Sequence, residues 1–152
     1  MKLQPWSLLV ITSFFFIIAS CSSDDTNSTE AILQSQVQTN AEDGTWRITK
    51  FIDSGDDETN HFNDYNFTFN SSGVVNATNG TNNYNGAWSV TDSNSSSNSS
   101  DDLDFNISFA SPPDFEELSD DWDFISQSSA KIELIDVSGG NGGTDYLTFE
   151  KN

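Results

Sequence analysis

The sequence predicts an all-β protein: an eight-stranded antiparallel up-and-down barrel that follows a cleaved signal and a flexible tether. From Gly44 onward, apolar residues alternate with polar ones in runs of about six to eight residues, which is typical of half-buried strands. Gly, Asn, Asp and Ser separate these runs, and no intervening segment is long enough for a helix that joins parallel strands. Because closure into a barrel removes the exposed edges of a sheet, we expect a barrel, with a β-sandwich as the alternative.

The first 20 residues are typical of a cleaved signal peptide. Lys2 gives a positive start, and the apolar run from Leu8 to Ile18 is interrupted by only two polar residues. This run is short for a permanent membrane-spanning helix. We therefore expect residues 1–20 to be removed from the mature protein.

The stretch Ile18–Cys21 places an aliphatic residue and two small residues directly before the only cysteine of the chain. It resembles a bacterial lipoprotein signal, in which that cysteine receives acyl chains such as palmitate and becomes the new N-terminus. The resemblance implies lipidation of Cys21; an ordinary thiol after an ordinary signal is the alternative. The following residues, Ser22–Asp25, resemble the export signal of surface lipoproteins of the Bacteroidetes or flavobacterial type. The two resemblances together imply a lipid-anchored protein at the outer membrane, either exposed at the cell surface or facing the periplasm. A solvated linker without a targeting role is the alternative for these four residues.

Residues 21–43 are predicted to form the tether, because they are mostly polar. A short helix over Glu30–Gln38 is compatible with this segment, since Ile32, Leu33 and Val37 fall near one side. We expect it to act as a linker or as a plug against one end of the domain that spans residues 44–152.

The expected strands alternate in polarity and are joined mostly by short turns. In chain order they are 46–52, 65–69, 74–78, 84–90, 103–109, 122–126, 131–137 and 145–151. In the first strand, alternation puts Trp46 and Ile52 on one face and Phe51 on the other. Gly73 is expected to adopt a positive φ in a tight hairpin turn.

Three connections have a distinct composition. Residues 92–102 contain no apolar side chain and are expected to form a mobile loop. Residues 139–143 are expected to form the last hairpin turn. Between the fifth and sixth strands, Asp114–Leu118 suits one helical turn, with Ser111 as its cap and proline at its first position.

The charge excludes one class of partner. Without residues 1–20, which contain Lys2 and no acid, four basic residues remain against 24 acidic ones, a formal charge of about −20. Such a field repels phosphates and anionic lipid surfaces, so we expect neither nucleic-acid binding nor direct electrostatic attachment to a membrane. Acyl chains on Cys21 would provide the attachment instead. The sequence does not identify a protein partner.

Three segments resemble the bacterial lipocalin-like domains: Gly44–Trp46, Tyr65–Gly73 and Asn85–Trp88. The resemblance extends from about Gly44 to Lys151. It implies that Trp46 closes the base of the barrel beneath a cation, either Lys151 or Arg47. It also implies a small hydrophobic molecule as ligand; an ordinary buried core tryptophan is the alternative for Trp46.

Catalysis, a metal site and a cofactor are not expected. His61 is the only histidine, so a histidine-rich zinc site is excluded, and no nucleophile motif accompanies it. Acidic residues cluster at 53–58, 101–104 and 120–123, but none has the spacing of an EF-hand. We interpret these clusters as solvated loops, with calcium binding as the alternative.

A ligand site, if the barrel holds one, should be aromatic. The candidate ligand-binding residues are Trp46, Phe67, Tyr84, Trp88, Phe105 and Phe115. Their bulk favours a filled interior over a cavity, and any pocket should be shallow, near one mouth, and covered by Phe115 and Leu118. The leading hypothesis is a non-enzymatic lipoprotein that binds a small apolar molecule. The alternatives are a non-catalytic structural or interaction module of a surface complex and, less favoured, a weak hydrolase that depends on His61.

Overall fold

The structure is a computed structural model that describes residues 25–92, 103–137 and 143–152. The predicted signal 1–20, the lipidation site Cys21 and the residues that follow it up to 24 lie outside the described residues. Residues 93–102 and 138–142, which include most of the predicted mobile loop and of the predicted last hairpin turn, lie outside them as well.

One antiparallel sheet contains all nine strands of the described residues, and the pairing of β1 with β9 closes it. Eight strands form the up-and-down barrel, and the two-residue β2 pairs with the far end of β1. The strands are β1 (Trp46–Asp53), β2 (Asp56–Asp57), β3 (Asn66–Phe69), β4 (Val74–Thr78), β5 (Asn83–Asp92), β6 (Leu103–Ser108), β7 (Asp120–Gln127), β8 (Lys131–Asp136) and β9 (Asp145–Lys151). The eight-stranded barrel is confirmed, and the sandwich alternative is wrong.

Strand β1 departs from strict alternation. Its register against β9 shifts between Ile48 and Lys50, so one extra residue bulges out there. After the bulge the parity reverses: Phe51 is buried together with Trp46, whereas Ile52 is only half-buried. The prediction that Phe51 faces away from Trp46 is therefore wrong, because a bulge changes which face each later residue occupies.

The turn between β3 and β4 follows the prediction. Gly73 has a φ of +80°, a region that residues with a Cβ rarely adopt, and its N–H donates to the carbonyl oxygen of Asn70 at 2.9 Å. The return hydrogen bond from Asn70 N–H to the Val74 carbonyl oxygen measures 2.9 Å. The hairpin thereby fixes the register of two barrel strands.

The segment expected to be a flexible tether contains a helix, α1 (Asp25–Glu42), which is longer than the short helix that the sequence suggested. Its inner side is a stripe at a spacing of four residues: Leu33 is partly buried, and Val37 and Ala41 are fully buried in the core. Ile32, expected on the same side, is 65% exposed. Helix α1 thus covers one end of the barrel, which we call the α1 end.

Polar contacts hold α1 on this end. The Gln34 side-chain amide donates to the carbonyl oxygen of Val90 at 2.6 Å, near the end of β5. The Asn40 amide donates to the Gln127 side-chain oxygen at 3.0 Å, at the end of β7. Because both strands run toward α1, the connections that follow β1 and β6 lie at the opposite end.

Two short helical segments close that opposite end, which we call the α2 end. A 3₁₀ turn (Thr59–Phe62) follows β2, and α2 (Pro113–Glu116) follows β6. Their buried rings, Phe62 and Phe115, meet edge to face with centroids 5.3 Å apart. The predicted cap Ser111 is wrong: Pro112 occupies the cap position in an extended conformation, and no side chain caps the turn.

The 3₁₀ turn also packs beside the place where β1 and β3 are no longer paired. These strands pair only at Trp46 and Phe67. Beyond that pair, Phe62 lies between the two strands, with its ring centroid 5.4 Å from that of Phe51 and 6.5 Å from that of Phe67. An aromatic side chain therefore replaces the missing strand pairing.

Candidate functional site

Trp46 lies at the α1 end of the barrel, where its side chain is fully buried at the start of β1. Its indole N–H donates to the carbonyl oxygen of Ala41 in the last turn of α1 at 2.8 Å. This bond satisfies the one polar atom of the ring and joins the helix to the barrel.

Lys151 is the cation that accompanies Trp46. Its Nζ lies 5.3 Å from the centroid of the Trp46 ring and 2.8 Å from an oxygen of Asp43. Arg47 instead extends outward and lies 3.6 Å from Glu150, with both side chains substantially exposed. Gly44 has a φ of +84°, and a Cβ at this position would lie 3.3 Å from the Lys151 side chain. Glycine here provides both the turn and the space for the lysine.

The other candidate ligand-binding residues fill the interior rather than line a space. Phe67, Phe105 and Trp88 are buried. Phe105 lies 5.3 Å from Phe69 and 5.7 Å from Trp88, measured between ring centroids, and Phe67 lies 5.4 Å from Phe149. These distances are those of rings in van der Waals contact, so the volume that a ligand would need is occupied by side chains.

The α2 end carries the remaining two candidates, Tyr84 and Phe115. Phe115 is buried and contacts both Tyr65 and Tyr84, at centroid distances of 5.0 and 4.9 Å. Tyr84 is half-buried, and burial together with its hydrogen bond to Tyr65 raises the pKa of its phenol. Leu118, two residues after the end of α2, is also fully buried. Aromatic rings thus meet at the α2 end, and Phe115 lies between Tyr65 and Tyr84 on one side and Phe62 on the other.

A second arrangement at the α2 end brings together three potential ligands of a metal ion. Each of Glu58, His61 and Glu117 offers one ligand atom, and these atoms lie within 4.8 Å of one another. The imidazole Nδ1 of His61 lies 3.8 Å from Oε2 of Glu58. Glu58 directly precedes the 3₁₀ turn and His61 lies within it, whereas Glu117 directly follows α2. The group therefore joins both segments that close this end.

The two carboxyl groups and the neighbouring acids determine the electrostatics of this group. Burial, then the hydrogen bond to Glu58 and its charge, and then the charges of Asp53 and Asp114 raise the pKa of Glu117 to about 7. Oε2 of Glu58 is buried and, among the residues that the structure describes, has no hydrogen-bond partner. The side chain as a whole is partly exposed, and it is this one oxygen that is enclosed.

The sequence singles out two of these residues but does not predict that they lie close together. Glu58 falls in a predicted solvated acidic cluster, and His61 has no predicted partner. Glu117 was missed, because it lies far along the chain in another connection. Only the closure of the barrel brings the two connections together, so no local signal could have found the group.

A further depression lies on the outer face of β5, β6 and β7. It has a volume of about 370 Å³ and is open to solvent; its lining side chains include Ala87, Asn106, Ser108 and Asp120. Burial raises the pKa of Asp120 to about 6, against the opposing hydrogen bond from Asp121 N–H. The hydrogen bond to the Asp121 side chain and the charges of Asp136 and Asp121 also raise this pKa. None of the sequence-predicted ligand residues except Trp88 borders it.

The helices of the described residues include none that is long and apolar enough to cross a membrane.

Comparison with known proteins supports the fold. No protein-family model and no curated protein matches the chain. Among solved structures, a DUF4847 family protein from Bacteroides vulgatus ATCC 8482, determined at 1.00 Å resolution, superposes with a TM-score of 0.50. The two chains are 18% identical, and the alignment covers 76% of this chain and 97% of the other. This similarity fits a lipocalin-like barrel and carries the fold alone.

Proposed function

We propose that this protein is a lipoprotein held at the outer membrane by acyl chains on Cys21, and that its barrel is a non-catalytic structural or interaction module. The filled interior of the barrel is the observation that supports a structural or interaction module. Trp46 is fully buried, Phe67 and Phe105 are fully buried among other rings, and helical segments close both ends. A barrel of this kind offers its outer surface rather than a cavity.

The position of α1 supports the anchoring part of the proposal. The helix begins at Asp25, shortly after Cys21, and its 18 residues extend about 27 Å at the usual rise per residue. It ends against Trp46, so the α1 end of the barrel is the end connected to the anchor. The formal charge of about −20 keeps the barrel from binding anionic headgroups, which leaves the acyl chains as the attachment.

Binding of a small apolar molecule is the second candidate function, and one observation favours it. At the α2 end Tyr84 is only half-buried, and its ring is nearly parallel to that of Tyr65 at 6.0 Å. A flat apolar molecule could bind there if Phe115 moved aside. This would use Tyr84 and Phe115 but not the deeper candidates Trp46, Phe67, Trp88 and Phe105.

Metabolic labelling with a palmitate analogue tests the anchor. We expect the wild-type protein to incorporate the label and to fractionate with membranes, and the Cys21→Ser variant to do neither. Ser23→Ala is the matched control and should be labelled like the wild type. Labelling of the Cys21→Ser variant, or none in the wild type, would refute lipidation at Cys21.

Binding of an apolar fluorescent dye distinguishes a structural or interaction module from a protein that carries a small apolar molecule. For a filled barrel, the wild type should show no saturable binding, whereas Phe115→Ala should bind about one dye per chain in the space that the ring leaves. Saturable one-to-one binding by the wild type would instead favour the carrier.

A further inference from the structure

The strongest unassigned feature is the group formed by Glu58, His61 and Glu117 at the α2 end. It combines one imidazole nitrogen with two carboxylates, and its ligand atoms already lie within 4.8 Å of one another. Two side chains come from one connection and the third from another, so their meeting depends on the closed form of the barrel.

The backbone holds the first two side chains in position. Glu58 N–H donates to the Phe51 carbonyl oxygen at 3.0 Å, and Phe51 N–H donates to the Thr59 hydroxyl at 2.8 Å. His61 N–H donates to the Glu58 carbonyl oxygen at 3.0 Å, which fixes the separation of the two ligands. The 3₁₀ turn is thereby attached directly to barrel strand β1.

The backbone of the third residue, Glu117, is also held in place by contacts of its near neighbours in the sequence. Glu117 N–H donates to the Pro113 carbonyl oxygen at 3.3 Å. Two residues away on either side, the Phe115 ring is buried and the Ser119 hydroxyl accepts from Phe109 N–H at 2.9 Å. Glu117 is itself exposed, so its carboxylate can rotate toward the other two while its backbone stays fixed.

The Glu58 side chain indicates what this group lacks. Its Oε2 is enclosed, and within the described part of the chain it accepts no hydrogen bond. Nδ1 of His61 lies 3.8 Å from this oxygen, beyond hydrogen-bond distance, while the Glu58 side chain shares a hydrogen bond with the carboxyl group of Glu117. A buried carboxylate oxygen without a partner is unfavourable, and a second carboxylate beside it adds repulsion. A bound cation removes both costs.

We propose that Glu58, His61 and Glu117 bind one divalent transition metal ion, with Zn²⁺ as the best match. Zinc takes imidazole nitrogen and carboxylate oxygen in a four-coordinate arrangement, here with water in the fourth position. Calcium requires six to eight oxygen ligands and makes no use of an imidazole. Tetrahedral zinc holds its ligand atoms roughly 3.4 Å apart, so a small rotation of the exposed His61 and Glu117 completes the site.

A metal ion bound by these three residues would cross-link the two segments that close the α2 end. A metal ion at this position joins the 3₁₀ turn to the α2 segment, over the contact between Phe62 and Phe115. The 3₁₀ turn packs beside the short pairing of β1 with β3, and both segments close the α2 end. Binding therefore stabilises the closed barrel in addition to occupying its own ligands.

The chain offers a clean readout because His61 is its only histidine. The test uses the full chain with Cys21→Ser, which removes the one thiol that competes for zinc, and follows the His61 imidazole by NMR during titration with ZnCl₂. We expect saturation at one Zn²⁺ per chain with a shift of the imidazole signals, and a rise in Tm of roughly 5–10 °C at about 100 times Kd. CaCl₂ should leave the imidazole signals unchanged.

Two variants and one control decide the assignment. Glu117→Gln and His61→Ala should each weaken zinc binding at least about 10-fold and abolish the rise in Tm. Glu116→Gln, an exposed neighbour on α2, should bind zinc like the parent chain. The proposal is overturned if the imidazole signals do not respond to zinc, or if both variants bind zinc as tightly as the Glu116→Gln control.

Discussion

Lys151 illustrates how one side chain serves several contacts at the base of the barrel. Its ammonium lies over Trp46 and beside Asp43, and its stem runs past Gly44. The lysine is 22% exposed and Asp43 78% exposed, so solvent screens the ion pair more than the contact with the ring. The cation–π contact is therefore the larger contribution.

Lys151→Met preserves the stem and removes the charge. We expect the free energy of unfolding to fall by about 1 kcal/mol, because the contact with the Trp46 ring is lost. Chemical denaturation followed by tryptophan fluorescence measures this. Lys131→Met, which removes an exposed partner of Glu133 in the same sheet, is the control and should change stability little. Equal losses in both variants would contradict a specific role for the Trp46 contact.

Asp120 gives a prediction for the dependence of stability on pH. Burial is the main reason that its pKa is raised to about 6 in the folded protein, above the ordinary range of an aspartate. The side-chain hydrogen bond to Asp121 and the charge of Asp136 act in the same direction, and the Asp121 N–H acts against them. The folded state therefore holds a proton more tightly than the unfolded state. Its contribution to stability is complete below about pH 4 and is lost as the pH rises through about 6.

Asp120→Asn should remove this penalty. At pH 7 the variant should be more stable than the wild type by about 1 kcal/mol, after discounting for the exposed part of the side chain. At pH 4 the advantage should disappear. Denaturation curves of both proteins between pH 4 and 8 test this; two curves that stay parallel across that range would refute the assignment.

At the scale of elements, the sequence predicts the barrel strands well, but it does not predict the extent of the helical segments that close the barrel ends. Alternation in β3, β5 and β6 is a local property of the sequence, so it predicted the right faces. The reversal at Phe51 depends on a bulge against β9, and the length of α1 depends on burial of Val37 and Ala41 against strands far along the chain. The sequence does not predict the proposed metal site for the same reason: its residues come from two connections that only the folded barrel brings together.

Helix α1 should detach independently of the barrel when its inner stripe is disrupted. Val37→Asp places a charge in the core, so we expect the free energy of local opening of α1 to fall by about 2–3 kcal/mol while the strands stay folded. Hydrogen exchange should then be roughly 30- to 100-fold faster in α1 amides alone. Gln36→Asp, on the exposed side, is the control. Faster exchange throughout the barrel would mean that α1 is part of a single cooperative unit.

For the whole molecule, the features combine into a closed barrel with two different ends. Helix α1 and Trp46 close the end nearest the proposed anchor, while Phe62 and Phe115 close the other. Aromatic rings fill the space between them, and the acidic surface faces outward. Under the proposed function, attachment belongs to Cys21, and the outer surface of the barrel is left for contacts with other molecules.

Native mass spectrometry of the protein extracted from the membranes of its own cells tests this account most directly. The account predicts a chain that begins at Cys21 and carries acylated glycerol, with no small organic molecule held inside the barrel. A chain with an unmodified Cys21 would contradict the anchor. A stoichiometric apolar molecule that is released only on unfolding would contradict the filled interior.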